Sequence, residues 1–371
     1  MSDDPLLQDF PWAHAPILAN APMSGVATSS LAAAVTSAGG LGLIGFLDNP
    51  RMLDVQLQRA KTLLLHKQES EVAPSTKRVE EASADQDAGS DILPVGVGVI
   101  VLGMSMSPFL PLVAKHRPAI VWLSFGEAKD FTSWTESIRV TSPRTKVWVQ
   151  VGSVDAALQS AQACHPDALV LQGTDAGGHG HARGSSVITL IPEVSDVLVE
   201  NGFVGSRSIS LVAAGGIMDG RGVAAAMALG VSGVVMGTRF LGAHETEIPQ
   251  EYRREILSAS DEGQSTVRSR IFDEMWFPSA WPEMYDGRCL RNACYDECER
   301  GVSIDEIRAG LYARASGGQA GGDSFKDMSS LWAGTGVGLV RNIENAGDIV
   351  QGVREHAKQR LRDTFLVHCS A

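Results

Sequence analysis

Along the first 245 residues, short apolar runs alternate with longer segments whose apolar positions are spaced for one face of a helix. Residues 17–23 read as a strand ending in a turn at Pro22. Ser29 is placed to cap a helix over 31–37, which Gly39 and Gly40 stop. A second strand follows at 41–45. Asp48 or Asn49 then caps a longer helix whose apolar side is Met52, Val55, Leu57, Leu63 and Leu64. Further strands are expected at 94–100, 119–124, 146–151, 168–172, 211–214 and 233–236. The helices between them are expected at about 108–115, 129–140, 154–163, 192–201 and 223–229. Runs this apolar belong to strands covered on both faces, and the strand–helix rhythm is that of a parallel sheet. Eight such units in succession predict an α/β fold with a closed (β/α)8, or TIM, barrel over residues 1–245. A doubly wound sheet fits eight consecutive units less well.

Two stretches break the rhythm. Residues 69–91 are rich in Glu, Asp, Ser and Ala and nearly free of large apolar side chains, which predicts a solvated insertion on a surface loop. After Leu241 the pattern turns irregular. Helices are expected at 252–257, 304–315 and 343–362, with a flexible glycine loop at 317–322. Residues 246–371 are therefore expected to form a lid or second lobe with a closing helix. Arg239, Trp276, Trp281 and Trp332 are its candidate packing anchors.

Composition narrows the function. The chain has 371 residues, 44% of them hydrophobic, and a net charge of −12, which argues against nucleic acid or an anionic membrane as partner. The start carries Asp3 and Asp4 and shows no secretory signal, and the most apolar stretch, 31–47, is broken by Ser, Thr and glycines. Five widely spaced cysteines point to free thiols in a reducing, cytoplasmic setting. Cys289, Cys294 and Cys298 cluster, but no histidine lies near them and their spacing is wrong for a paired zinc knuckle. No metal site is expected.

A barrel of this kind keeps its chemistry at the C-terminal strand ends. The first strand ends in Ala21-Pro22-Met23, the third reaches Gly98 and the fifth Gln150. The sixth ends in Gln172-Gly-Thr-Asp175-Ala176-Gly177-Gly-His179. The seventh ends in Gly215-Gly216, where the strand turns toward its helix, and the eighth in Met236-Gly237-Thr238. A glycine pair there serves a tight turn, but it also lets backbone N–H groups approach a phosphate at a helix start. With no ligand-spaced His/Asp/Glu set in view, an organic cofactor carrying phosphate suits these ends. His179 can donate a hydrogen bond to an anion or act as a base. His181 and Arg183, just beyond, either serve the substrate or face solvent.

Four of these segments, Ala21-Pro-Met23, Gln172 to His179, Ala214-Gly-Gly-Ile-Met-Asp-Gly-Arg221 and Gly237-Thr-Arg-Phe240, resemble the signature segments of the nitronate monooxygenases, formerly called 2-nitropropane dioxygenases. A fainter likeness extends to Trp332-Ala-Gly-Thr-Gly-Val-Gly-Leu339. The resemblance implies a non-covalent FMN, with its phosphate at Gly215, Gly216, Gly237 and Thr238 and its ring near Met23 and Gln150. It also implies an active-site role for His179 and the conversion of alkyl nitronates by O2 to carbonyl compounds and nitrite. Ala21, Pro22, Gln172, Asp175, Ala176, Gly177 and Met236 are carried along as cofactor contacts. Many members have Glu in place of Asp175 and Asn in place of Gly98, and a glycine offers the flavin no side chain there. NAD(P)H-dependent quinone or enoyl reductases on the same barrel are the alternative, and a nucleotide-binding barrel without turnover is the non-enzymatic one. A homodimer is one candidate assembly.

Overall fold

The computed structural model describes residues 5–71, 92–203, 208–316 and 324–368. In chain order the strands are β1 (Ile17–Asn20), β2 (Leu43–Ile44), β3 (Leu93–Ile100), β4 (Pro118–Ser124), β5 (Lys146–Val151), β6 (Ala168–Gln172), β7 (Gly178–His181), β8 (Ser210–Ala214), β9 (Gly233–Met236), β10 (Thr266–Ser269) and β11 (Tyr285–Leu290). Eight of them form one parallel sheet in the order β1-β9-β8-β6-β5-β4-β3-β2, as the apolar rhythm predicts. A bridge from Ala19 to Leu41, just ahead of β2, brings the two edges together and closes the barrel. The ladder is thinnest at this seam. There the fully buried Asn20 substitutes for main chain, its Nδ2 donating to the Leu43 carbonyl at 2.7 Å and its Oδ1 accepting the Leu43 N–H at 2.9 Å.

Each strand divides its side chains between two layers, which is why the runs read as continuously apolar. Ile17, Ala19, Ile120, Trp122, Trp148, Val170, Val212 and Val235 fill the barrel. Leu18, Val121, Val149, Leu169, Ala213 and Val234 pack outward beneath the helices. A short helix, Pro5–Asp9, stops the lower end with Leu6 and Phe10, the latter edge-on to Trp148 at 6.0 Å. The sequence reading missed it, because five residues are too few to show a period.

Several boundaries differ from expectation for local reasons. The helix Ser29–Ser37 has Thr28 at its N-cap and no side-chain cap. Ser29 does not cap it. Instead Gln56, from the helix Pro50–Glu71, accepts the Ser29 N–H at 2.9 Å. Asn49 does cap that second helix, accepting the Arg51 N–H at 3.0 Å. The helix expected at 192–201 runs instead from Val187 to Glu200 with Pro192 inside it, since burying Leu190, Ile191, Val194 and Leu198 outweighs one missing backbone bond. Of the expected insertion, 69–71 end the helix Pro50–Glu71 and 72–91 lie outside the described residues, as does the glycine loop at 317–322.

The tail is more ordered than its composition suggests. β10 and β11 pair antiparallel, and β11 also pairs with β7, giving a second sheet in the order β10-β11-β7. The stretch between the sixth strand and the helix expected at 192–201, where the apolar rhythm predicts no element, therefore contains a strand. Its sequence, Gly-His-Gly-His, lacks the branched and aromatic residues that mark strands, and it becomes one because the tail supplies a partner. The closing helix, Ala346–His368, stands in the ring of helices around the barrel. Gly220 sits so close to it that a Cβ there would lie 2.3 Å from the Ala357 nitrogen. From this helix the buried Arg354 reaches the carbonyls of Ala38 at 3.0 Å and Gly39 at 2.7 Å, where the helix Ser29–Ser37 ends. Among the described residues, no helix is long and apolar enough to cross a membrane.

Candidate active site

β8 and β9 are neighbours in the barrel, so their C-terminal turns lie side by side. Gly215 and Gly216 both take positive φ, +105° and +73°, a conformation that side chains disfavour. Among the described residues, the backbone N–H groups of Gly215, Gly216, Gly237 and Thr238 have no hydrogen-bond partner. A Cβ on Gly237 would meet only the Ala21 Cβ at 3.4 Å and the Met23 sulfur at 3.8 Å. The Thr238 hydroxyl accepts the Gly334 N–H at 2.9 Å, which leaves its own proton free to donate. These groups together form a donor-rich cradle at the barrel mouth.

The tail clasps the neighbouring loop. Thr335 donates its N–H to the Asp175 carbonyl at 3.0 Å and its hydroxyl to the Asp175 carboxylate at 3.1 Å. Gly177 leaves no room for a side chain, since a Cβ would lie 2.4 Å from the Ala333 carbonyl carbon. The structure thus places Asp175, Ala176 and Gly177 against the segment from Ala333 to Thr335, next to the cradle. Gly98 is explained in the same way, because a Cβ there would lie 2.6 Å from that of Pro22. The proline ring takes the space that a larger residue would need. Met236 differs from the other candidates. Its side chain is fully buried in the layer beneath the helices, and its carbonyl accepts the Ala21 N–H at 2.9 Å. Register turns that side chain away from the mouth.

Deeper in the mouth an amide relay crosses the strand ends. The Trp122 indole donates to Gln150 Oε1 at 3.2 Å, Gln150 Nε2 donates to Gln172 Oε1 at 3.1 Å, and Gln172 Nε2 donates to the His179 carbonyl at 3.0 Å. The relay pins β7 over the barrel and fixes where His179 starts.

The His179 ring is held on several sides. It stacks on Trp281 at 4.0 Å and 15°, and Trp332 lies tilted at 4.6 Å. Its Nε2 is 2.7 Å from Asp273 Oδ1, while Asp273 Oδ2 is buried without a hydrogen-bond partner among the described residues. Phe125, at the end of β4 and in the left-handed region at φ +58°, puts its ring 4.9 Å from Trp281 and 5.3 Å from Tyr285. His181 packs edge-on to Tyr285 at 5.4 Å, and burial followed by the charge of Arg268 pulls its pKa below the ordinary 6.5. Arg183 is exposed. Asp273 and Phe125 escaped the sequence reading, and Trp281 and Trp332 were read only as packing anchors. Asp273 and His179 are 94 residues apart, and no spacing rule links them.

The family model described as Nitronate monooxygenase matches residues 8–355, nearly the whole of this arrangement. The chain belongs to the nitronate monooxygenase family. It is similar to the nitronate monooxygenase npaC of Metarhizium robertsii, 38% identical over 361 residues, covering 96% of this chain and 95% of the relative. A nitronate monooxygenase of Neurospora crassa is 36% identical over 369 residues, covering 95% and 92% of the two chains. The solved structure of FabK from Thermotoga maritima superposes with a TM-score of 0.71 over 99% of this chain and 100% of that one, at 24% identity, a likeness of fold. Nitronate monooxygenases are flavin-dependent oxidoreductases, so the cradle has to be tested against a flavin.

Proposed function

We propose that the protein binds FMN without a covalent link and oxidises alkyl nitronates with O2 to carbonyl compounds and nitrite. The observation that carries this reading is the set of four backbone N–H groups at Gly215, Gly216, Gly237 and Thr238, on two adjacent strand ends, that have no partner among the described residues. Unsatisfied backbone donors gathered on two adjacent turns suit a phosphate dianion, and the Thr238 hydroxyl adds another. Ala21, Pro22 and Met23 border the same turn, and Gln150 and Gln172 present amides toward the mouth for the polar edge of the ring. The donor set fits a flavin mononucleotide. Once bound, FMN supplies the electron acceptor for the nitronate.

His179 orients the substrate. A nitronate is an anion, and a protonated ring edge can hold its nitro oxygens. On a neutral nitroalkane the same ring serves as base for the proton on the carbon next to the nitro group. Trp281, Trp332 and Phe125 surround the ring with apolar surface, which lowers the local dielectric and strengthens both interactions. Cys164, Cys289, Cys294 and Cys298 are free thiols, which supports the cytoplasm as the working compartment.

The test is direct. The purified protein should be yellow, release FMN on denaturation, lose flavin absorbance when mixed anaerobically with ethyl nitronate, and form nitrite in air without NAD(P)H. Bleaching by NAD(P)H alone, with the nitronate inert, would assign it to the reductases instead.

A further inference from the structure

The tail lays one carboxylate against the histidine of the barrel, and that contact decides which edge of the ring can do chemistry. Asp273 comes from the short helix Ile271–Glu274, immediately after β10. Its side chain is 9% exposed, and its Oδ1 meets His179 Nε2 at 2.7 Å. A carboxylate oxygen has no proton to give, so Nε2 carries the hydrogen and donates it. Trp281 stacks on one face of the ring and Trp332 lies tilted beside it, and both are apolar walls that offer the ring nitrogens no acceptor. Nδ1 has no hydrogen-bond partner among the described residues and is not sealed from solvent as Asp273 Oδ2 is. Nδ1 is therefore the working edge.

We propose that Asp273 is a positioning residue that holds His179 as the Nε2–H tautomer and balances the charge the ring acquires when Nδ1 takes a proton. This deepens the reading of His179 given above and rests on it. In the step concerned, the Nδ1 lone pair takes the proton from the carbon bearing the nitro group. The C–H electron pair becomes the C=N bond, and the negative charge moves onto the nitro oxygens. The imidazolium left behind keeps its Nε2–H bond to Asp273. The buried Oδ2 supports this assignment. A buried carboxylate with one bare oxygen is costly unless a cation forms beside it, and His179 is the group in contact that can become one. A preformed nitronate has already lost its proton and needs only a donor, so Asp273 matters far less for it.

The experiment uses the flavin-loaded full chain. Long-range 1H–15N spectra of histidine-labelled protein, recorded where the ring is neutral, report the tautomer, and the His179 signals are assigned by their loss in His179→Asn. The wild-type ring should show a protonated Nε2 and a bare Nδ1. In Asp273→Asn the new amide donates to Nε2 and should move the ring proton to Nδ1. The same variant should lose about 10²-fold or more in kcat/KM on neutral nitroethane but less than about 10-fold on ethyl nitronate, as when the carboxylate behind a catalytic histidine is replaced. A wild-type ring protonated on Nδ1 overturns the proposal even if the variant fails to fold. Equal losses on both substrate forms, in a variant that keeps its flavin, overturn it as well. If His179→Asn leaves both substrates untouched, the role given to His179 falls, and the wild-type spectrum still decides whether Asp273 sets the tautomer.

Discussion

Gly334 donates its N–H to the hydroxyl of Thr238 at 2.9 Å, joining the tail to the end of the eighth barrel strand. The same glycine lies so close to the clasped loop that a Cβ would fall 2.4 Å from the Asp175 carbonyl oxygen. Backbone cannot give way as a side chain can. Gly334→Ala should lift the tail from the cradle at a cost of about 1–3 kcal/mol, as overpacking does. Thermal unfolding and flavin titration by fluorescence should both show the loss, and an unchanged Kd for FMN with an unchanged Tm would refute it.

Gly216→Val should purify without flavin. At φ +73° a β-branched residue is strained, and its Cβ would lie 2.9 Å from that of Asp175, crowding the unpartnered N–H groups. The ratio of visible to ultraviolet absorbance, with and without added FMN, measures the effect. A variant as yellow as the wild type would remove the phosphate from this turn.

Asn20 stitches the barrel seam. Replacing it with Ala leaves both the N–H and the C=O of Leu43 buried and unpaired, at about 1–3 kcal/mol for each group. Asn20→Ala should therefore cost about 2–6 kcal/mol in urea unfolding. Asn20→Asp can accept from the Leu43 N–H but cannot donate to its carbonyl, and should fall between Ala and the wild type.

His181 gives the fold a sensitivity to acid. Burial, and then Arg268, hold its folded pKa below the ordinary 6.5, so the unfolded chain takes up a proton at a pH where the folded chain does not. The stability involved is intact above 6.5 and is lost as pH falls from 6.5 toward the folded value. Below that value no further loss arises from this group. The Tm of the wild type should drop between pH 7.5 and 5.5, and His181→Gln should flatten the drop. Parallel pH profiles for the two proteins would place the sensitivity elsewhere.

The barrel was legible in the sequence because its strands are buried on both faces. Val147 and Val149 cover one side of β5 and Trp148 the other, so an unbroken apolar run carries the signal without any partner in view. The turn at Gly215-Gly216 was legible for a related reason, since two positive φ angles in succession are a local conformational demand that adjacent glycines meet. The direction of the Met236 side chain, by contrast, follows from register, and register is set by which strands lie on either side. β7 could not be read because Gly-His-Gly-His has no strand propensity of its own and pairs only when β11 arrives from the tail. Nor could the site's second half. Asp273, Trp281 and Trp332 reach His179 from a segment with no repeating pattern, and contacts between residues so far apart leave no period in the chain. The sequence by itself determined the barrel, its cradle and the presence of a histidine at the mouth. Which edge of that histidine works was decided only when folding brought the tail across the barrel, because hydrogen-bond direction depends on the partner that tertiary packing supplies.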